Sequence, residues 1–332
     1  EARTARRLLS GEKADLLIWG SLNEILTAME LRFVSETPME DHQGGFLISD
    51  RLCLPLDFPA DYDPLLTAVA LAATTPRTEF IRRIQKGLLL PTLELAQEQG
   101  ANPPVELSLT DQASLQVCYG NVAALIGHQA SDPNWYRRAA QAYQGALEII
   151  TEDEALLDWA TVQHHLGRVL QAIGERASDD EILMNAAEAY RAALKAFTQA
   201  SFPREWASLQ SRLGMTPYKL DFIRGDTEIL KHAVGAFQSA LQVFTRANAP
   251  YRWSEVKNSL GQALQVSGDL ARNTELLERA ALCCQEALQV RTRHDTPLQW
   301  AASQNNLGSA LFLLGKLTKD SEHLEGAAEA FG

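Results

Sequence analysis

Histidines, cysteines and paired carboxylates are the side chains with which this chain could hold a metal ion or carry covalent chemistry, and their spacing argues against both. The seven histidines are His42, His128, His164, His165, His232, His294 and His323. No two have the four-residue helical spacing that points two imidazoles at one zinc ion, and no H-E-x-x-H motif occurs. Cys53, Cys118, Cys283 and Cys284 make no C-x-x-C pair and suggest no disulfide framework, so reduced thiols are expected. Cys284 takes a place held by tyrosine or phenylalanine elsewhere in the chain and reads as a packed core thiol. The acidic runs Glu152-Asp153-Glu154 and Asp179-Asp180-Glu181 fall in turns or helix starts and read as caps and solvated loops. Gly44-Gly45 has no Gly-Lys-Ser/Thr after it, so it is no phosphate loop. No G-x-S-x-G or kinase set appears. The expectation is a non-enzymatic protein without catalytic residues, cofactor or metal.

Charge narrows the partners. The formal net charge is −12 over 332 residues, which a nucleic-acid backbone would repel. The basic clusters, Arg3/Arg6/Arg7 and Arg82/Arg83/Lys86, are short and read as solvated helix faces. No apolar run approaches the ~20 residues that span a bilayer. The charged start, Glu1–Leu9, has no signal-peptide core. No nucleic acid, no membrane and a cytoplasmic location are therefore expected. Both ends read as the middle of a chain, which suggests a fragment. Hydrophobic residues at 46% supply ample core.

What could position a binding surface is a repeat. Trp159, Trp206, Trp253 and Trp300 lie 47 residues apart. Gly120, Gly167, Gly214, Gly261 and Gly308 keep the same period, as do Ala139, Ala186, Ala233, Ala280 and Ala327, and Pro203, Pro250 and Pro297. Each repeat reads as two helices. In the second repeat, Val162, Leu166, Val169, Leu170 and Ile173 fall at helical spacing. Gly127, Gly174, Gly268 and Gly315 are expected to supply the left-handed residue that ends the first helix. Asp132, Asp179, Asp226, Asn273 and Asp320 then cap the second, with Pro133 suited to a first helical position. Gly167 removes a side chain where helices cross, facing Ala186, Tyr190 and Ala193. One helix pair cannot bury both its faces, so the repeats are expected to stack. Pro217, where other repeats have leucine, predicts a kink or early end near Met215–Tyr218.

Leu166-Gly167-x-x-Leu170 and Ala186-x-x-x-Tyr190-x-x-Ala193, with their equivalents, resemble the tetratricopeptide repeat family, over about residues 105–332. The family's usual period is about 34 residues. A period of 47 implies longer helices and connections, and the tryptophan is an added feature. HEAT-like repeats match the length better but lack a visible signature. The resemblance implies a mainly α fold: an α-solenoid of helical hairpins over 105–332, with four full repeats and a truncated fifth. It also implies that first helices line a concave face. The polar residues there would be Thr161, His164 and Arg168; Ser208, Ser211 and Tyr218; Glu255, Asn258 and Gln262; and Asn305 and Ser309. Asparagine both donates and accepts, which suits a peptide backbone, and arginine clamps a carboxylate.

Residues 1–104 lack the period. A short helix is expected at Ala2–Leu9, strands at Ala14–Leu22, Met29–Ser35 and Gly45–Leu54, and helices at Asp61–Ala73 and Arg77–Gln99, the last interrupted by Pro91. Ala-Arg-Arg-Leu-Leu, Ala-Asp-Leu-Leu-Ile-Trp-Gly-Ser-Leu and Leu-Arg-Phe-Val are similar to TolB-like α/β segments of bacterial signalling proteins. The function expected is a protein- or peptide-binding scaffold or sensor module of a larger bacterial signalling protein. The alternatives are a self-assembling module that forms homo-oligomers by stacking its solenoid, and an enzyme with its site in the N-terminal α/β unit or the concave groove.

Overall fold

The structure, a computed structural model, describes residues 8–9, 12, 14–22, 27–35, 46–47, 50–57, 60–74, 79–221 and 227–332, with the backbone alone for 79, 99, 101, 217–221 and 227. The described chain is mainly helical, with a small three-stranded antiparallel sheet near its start. It divides into two units, Glu1–Ala196 and Phe197–Gly332.

In the first unit, β1 (Leu16–Leu22), β2 (Ala28–Ser35) and β3 (Leu52–Pro55) lie in the order β1-β2-β3. Leu16 pairs with Ser35, and Leu31 with Leu52. The third strand begins later than the alternation predicts because a turn closes just before it. Asp50 N–H donates to the Leu47 carbonyl at 3.1 Å, and Leu47 N–H donates to Asp50 Oδ2 at 2.7 Å. The helix expected at Ala2–Leu9 lies outside the described residues but for its last two. Next come α1 (Asp63–Ala73), α2 (Glu79–Leu95) and α3 (Gln97–Ala101). Pro91 does not interrupt α2. It forfeits one bond, to the Gly87 carbonyl, and the helix continues to Leu95 before breaking at Ala96.

Two helical hairpins complete this unit: α4 (Leu109–Ala130) with α5 (Pro133–Ile149), and α6 (Leu156–Ala177) with α7 (Asp180–Ala193). The second unit is built the same way. It pairs α8 (Pro203–Asp221) with α9 (Thr227–Leu241), α10 (Pro250–Ala271) with α11 (Thr274–Leu288), and α12 (Pro297–Thr318) with α13 (Ser321–Phe331). The early end expected near Met215–Tyr218 does not occur, since α8 passes through Pro217 to Asp221.

Helix starts follow their caps. The side chains of Asp132, Asp179, Asn273 and Asp320 accept from the amides of Asn134, Ile182, Leu276 and Glu322. Each satisfies a donor that the first turn leaves free. The Asp226 cap falls outside the described residues. Helix ends differ from expectation. The left-handed residues are Ser131, Ser178, Arg272 and Lys319, with φ between 50 and 60°. The glycines lie four residues earlier, inside the helix. Their carbonyls accept from the amide beyond the left-handed residue, as Gly174 does from Asp179 at 3.0 Å, which is the bond of a Schellman motif. The reason for glycine is packing: a Cβ at 174 would stand 2.8 Å from Leu183 Cγ.

Close approach also accounts for the other glycine series. A Cβ at Gly167 would lie 2.7 Å from the Tyr190 ring and 3.2 Å from the Ala186 carbonyl oxygen. That is the crossing inferred from the pattern Ala-x-x-x-Tyr-x-x-Ala. Neighbouring repeats are further tied by one recurring pair, 43 positions apart: Glu152 with Lys195 in the first unit, and Gln199 with Gln242 and Arg246 with Gln289 in the second. The first unit's core runs without a break from Leu31, Leu52 and Leu54 of the sheet, through Val69 and Leu93, to Val122, Tyr143 and Val169. The boundary expected at 104/105 therefore lies inside that core. The second unit has its own core around Phe237, Leu260, Leu264 and Cys284.

Candidate binding face

On α6 the three predicted contact residues do not line an open groove. Thr161, His164 and Arg168 are buried, the last two to 1% exposure. An amphipathic helix would leave this stripe in water, but α6 is covered on nearly every side. Thr161 Oγ1 donates to the Leu157 carbonyl at 2.8 Å. The His164 ring stacks on His165 and meets the edge of Tyr190. His165 in turn stacks on Tyr143, with centroids 5.5 Å apart.

The cover includes the segment that leads into β3. Buried Asp50 accepts from Asn121 Nδ2 at 3.1 Å and stands 3.0 Å from His165 Nε2. Tyr143 donates its hydroxyl to Asn121 Oδ1 at 2.7 Å. Burial pushes that phenol well above its ordinary pKa, and the Arg168 charge opposes the rise without reversing it. Arg51 pairs with Asp158 at 3.0 Å. Burial works against that guanidinium, but Asp158, with Cys53 and Glu30 beyond it, holds its pKa above the ordinary value. A carboxylate beside an imidazole is the orienting half of a nucleophilic triad. The thiol beside it belongs to Cys118, which donates to the Arg51 carbonyl and is kept protonated by burial and then by Asp50. The network therefore fastens the N-terminal segment onto α4 and α6. The cleft among Asp50, Arg51, Ser114, Asp158 and Thr161 is about 20 Å³, room for about one water.

In the second unit the predicted residues divide. Ser208 and Ser211 of α8 are buried, and Ser208 Oγ accepts from Arg252 Nη2 at 3.4 Å. The Tyr218 side chain lies outside those described. Glu255, Asn258 and Gln262 of α10 and Ser309 of α12 are half-buried, while Asn305 is exposed. These helices adjoin, since α10 packs on both α8 and α12. Asn306 Nδ2 donates to Asn258 Oδ1 at 3.2 Å across that junction. Glu255 pairs with Arg252 at 2.7 Å. Burial raises the Glu255 pKa, but Arg252, then Arg212 and Arg291, outweigh it and hold the carboxyl below its usual range. The face is therefore an ionised carboxylate among arginines, beside amides that both donate and accept.

Arg291 was not among the predicted residues. Though buried, its Nη1 donates to Ser303 Oγ at 3.0 Å and to the Gln299 carbonyl at 3.4 Å, and its Nε to Ser254 Oγ at 3.4 Å. Burial lowers its pKa against the opposing pull of Glu255 and Cys284. A signal for it exists at the 47-residue spacing. Arg291 stands where earlier repeats have Ile150, Phe197 and Phe244; Ser303 stands at the place of Val162, Leu209 and Val256; and Ser254 stands at that of Ala160 and Ala207. Three polar departures converge on one point. Asp50, Asn121 and His165 carried no comparable signal, since their meeting joins distant stretches of chain.

Among the described residues, no group of three or more histidine, cysteine and acidic side chains is placed to hold a metal ion. No described helix is long and apolar enough to cross a membrane. No family model matches the chain, and no curated protein matches it. Among solved structures, the crystal structure of BtubC (BKLC) from P. vanneervenii aligns over 82% of this chain and 88% of that chain, with 18% sequence identity and a TM-score of 0.41, a likeness too slight to carry fold or function across.

Proposed function

We propose that this chain is a protein- or peptide-binding scaffold, built as an α-solenoid of tetratricopeptide-like hairpins, and that it binds through the first helices of its second unit. The observation that carries the reading is the contrast between two sets of equivalent positions. Thr161, His164 and Arg168 are buried, whereas Glu255, Asn258, Gln262, Asn305 and Ser309 reach solvent from adjoining helices. Amides on neighbouring turns suit an extended backbone, which presents a donor and an acceptor at each residue. The chain would act as the scaffold or sensor part of a larger bacterial signalling protein in the cytoplasm.

The test is capture from the source organism's lysate, with the wild-type chain run beside Asn258→Ala/Gln262→Ala/Asn305→Ala and beside Thr161→Ala, each checked for helicity. A partner retained by wild type and by Thr161→Ala, but lost by the triple variant, is expected. Equal retention by all three would remove the second unit's face from the reading.

A further inference from the structure

Helix α2 is apolar on two sides, and the described residues cover only one. Leu89 and Leu93, with Gln85, turn inward against α1 and α4. Gln85 Nε2 donates to the Thr74 carbonyl at 2.8 Å. The other side carries Phe80 at 72% exposure, Leu88 at 50% and Leu95 at 71%, with Ile81 and Ile84 exposed between them. Ile81, Ile84, Leu88, Pro91 and Leu95 follow one another by three, four, three and four residues. That is the seam along which two helices interlock. Isolated exposed leucines are ordinary, but a continuous apolar stripe marks an interaction surface.

We propose that α2 pairs antiparallel with α2 of a second copy of this chain, about a two-fold axis near Leu88. Self-complementarity points to that occupant. Arg83 precedes Leu88 by five positions and Glu94 follows it by six, both on the same flank of the seam. An antiparallel two-fold sets Arg83 of each copy beside Glu94 of the other, and sets Ile81 against Leu95. A two-fold interface needs such a patch, complementary to itself. Gly87 lies at the axis, and among the described residues a Cβ there would meet nothing within 4 Å. Packing among those residues does not require that glycine, while a closely approaching second helix has a use for it.

The test is sedimentation velocity of the full chain over a concentration series, with disulfide trapping. All four native cysteines are buried, so an introduced thiol reports alone. We expect a monomer–dimer equilibrium that Leu88→Glu weakens by at least about thirtyfold, as loss of a central contact does, with helicity unchanged because the side chain is half exposed. Arg83→Glu and Glu94→Arg should each weaken dimerisation alone, and an equimolar mixture of the two should restore it, since every facing pair is then opposite in charge. Leu88→Cys should crosslink to itself. Phe80→Cys should not, because antiparallel pairing holds those positions about 25 Å apart, beyond the ~7 Å limit of a disulfide. A monomer at every concentration would overturn the proposal. So would self-crosslinking through Phe80→Cys, or a mixture of charge variants that stays monomeric. Binding of the monomer to phosphatidylserine vesicles, lost in Leu88→Glu, would overturn it in favour of a lipid surface.

Discussion

Alanine at Gly261 and alanine at Gly235 should shift the stability of the second unit in opposite directions. Both glycines lie inside helices, where alanine is favoured by about 1 kcal/mol. At Gly235 in α9 a Cβ meets nothing within 4 Å, so that gain should appear nearly whole. At Gly261 in α10 a Cβ would stand 2.8 Å from Cys284 Sγ and 3.0 Å from the Ala280 carbonyl oxygen. Carbon contacts are comfortable only beyond about 3.5 Å. The sulfur can turn aside, but the carbonyl belongs to the backbone of α11, so relief requires that helix to move by roughly half an ångström. Overpacking of this kind costs about 1–3 kcal/mol. Set against the helix preference, Gly261→Ala should destabilise by up to about 2 kcal/mol while Gly235→Ala stabilises by about 1 kcal/mol. With a urea dependence of ~2 kcal/mol per molar, the two midpoints should lie about 0.5–1.5 M apart. Urea titration of the full chain, read by hydrogen exchange at the amides of α10 and α11, isolates this region. If Gly261→Ala raised the midpoint as Gly235→Ala does, the close crossing of α10 and α11 would be wrong, and so would the account of the 47-residue glycine series.

Three other perturbations have worked-out signs. Ser178→Gly and Lys319→Gly, at left-handed positions with φ of 54° and 60°, should each stabilise by about 0.5–1 kcal/mol; an unchanged or lowered thermal midpoint would contradict the helix ends described above. Asp50→Ala removes the acceptor shared by Asn121 Nδ2 and the Leu47 amide and strips His165 of its partner. It should cost the first unit about 2–4 kcal/mol and be clearly non-additive with Asn121→Ala in a double-mutant cycle; simple additivity would dissolve the network. Alkaline titration should weaken the fold. Burial pushes the Cys53 and Cys284 thiols from 9.0 to about 12. A raised folded-state value means that between those limits the unfolded chain has lost protons the folded chain keeps, so stability falls as pH rises, by about 1.4 kcal/mol per pH unit for each thiol. Urea midpoints from pH 8 to 11 should fall less steeply in Cys53→Ala/Cys284→Ala, with buried Cys118 and Tyr143 keeping a residual slope, and an unaltered slope in that variant would place the cause elsewhere.

The parts of this fold legible in the sequence are those whose physics is local. Asp132, Asp179, Asn273 and Asp320 cap helices because an oxygen two or three residues from a free amide suffices. The 47-residue glycines face Tyr143, Tyr190 and Phe237 because a repeat carries both partners at fixed separation. Gly174 and its equivalents do not end their helices as the pattern suggests but lie inside them. A glycine near a helix end suggests backbone freedom, yet here it makes room for Leu183, and Ser178 takes the strained conformation. The binding face was legible only in part, because a helical pattern shows which side of a helix is polar and not whether that side meets water. On α6 the neighbouring His165 meets Asp50, more than a hundred residues away, and no periodicity encodes that meeting. Arg291 shows what the repeat could still have revealed. A charged residue in the place of Phe244 is costly to bury unless its donors are met. Ser254 and Ser303 replace alanine and valine at the positions that meet them. Departures from a repeat that cluster in space are where its packing rule has been exchanged for another requirement, and here they border Glu255, the carboxylate at the centre of the face assigned to binding.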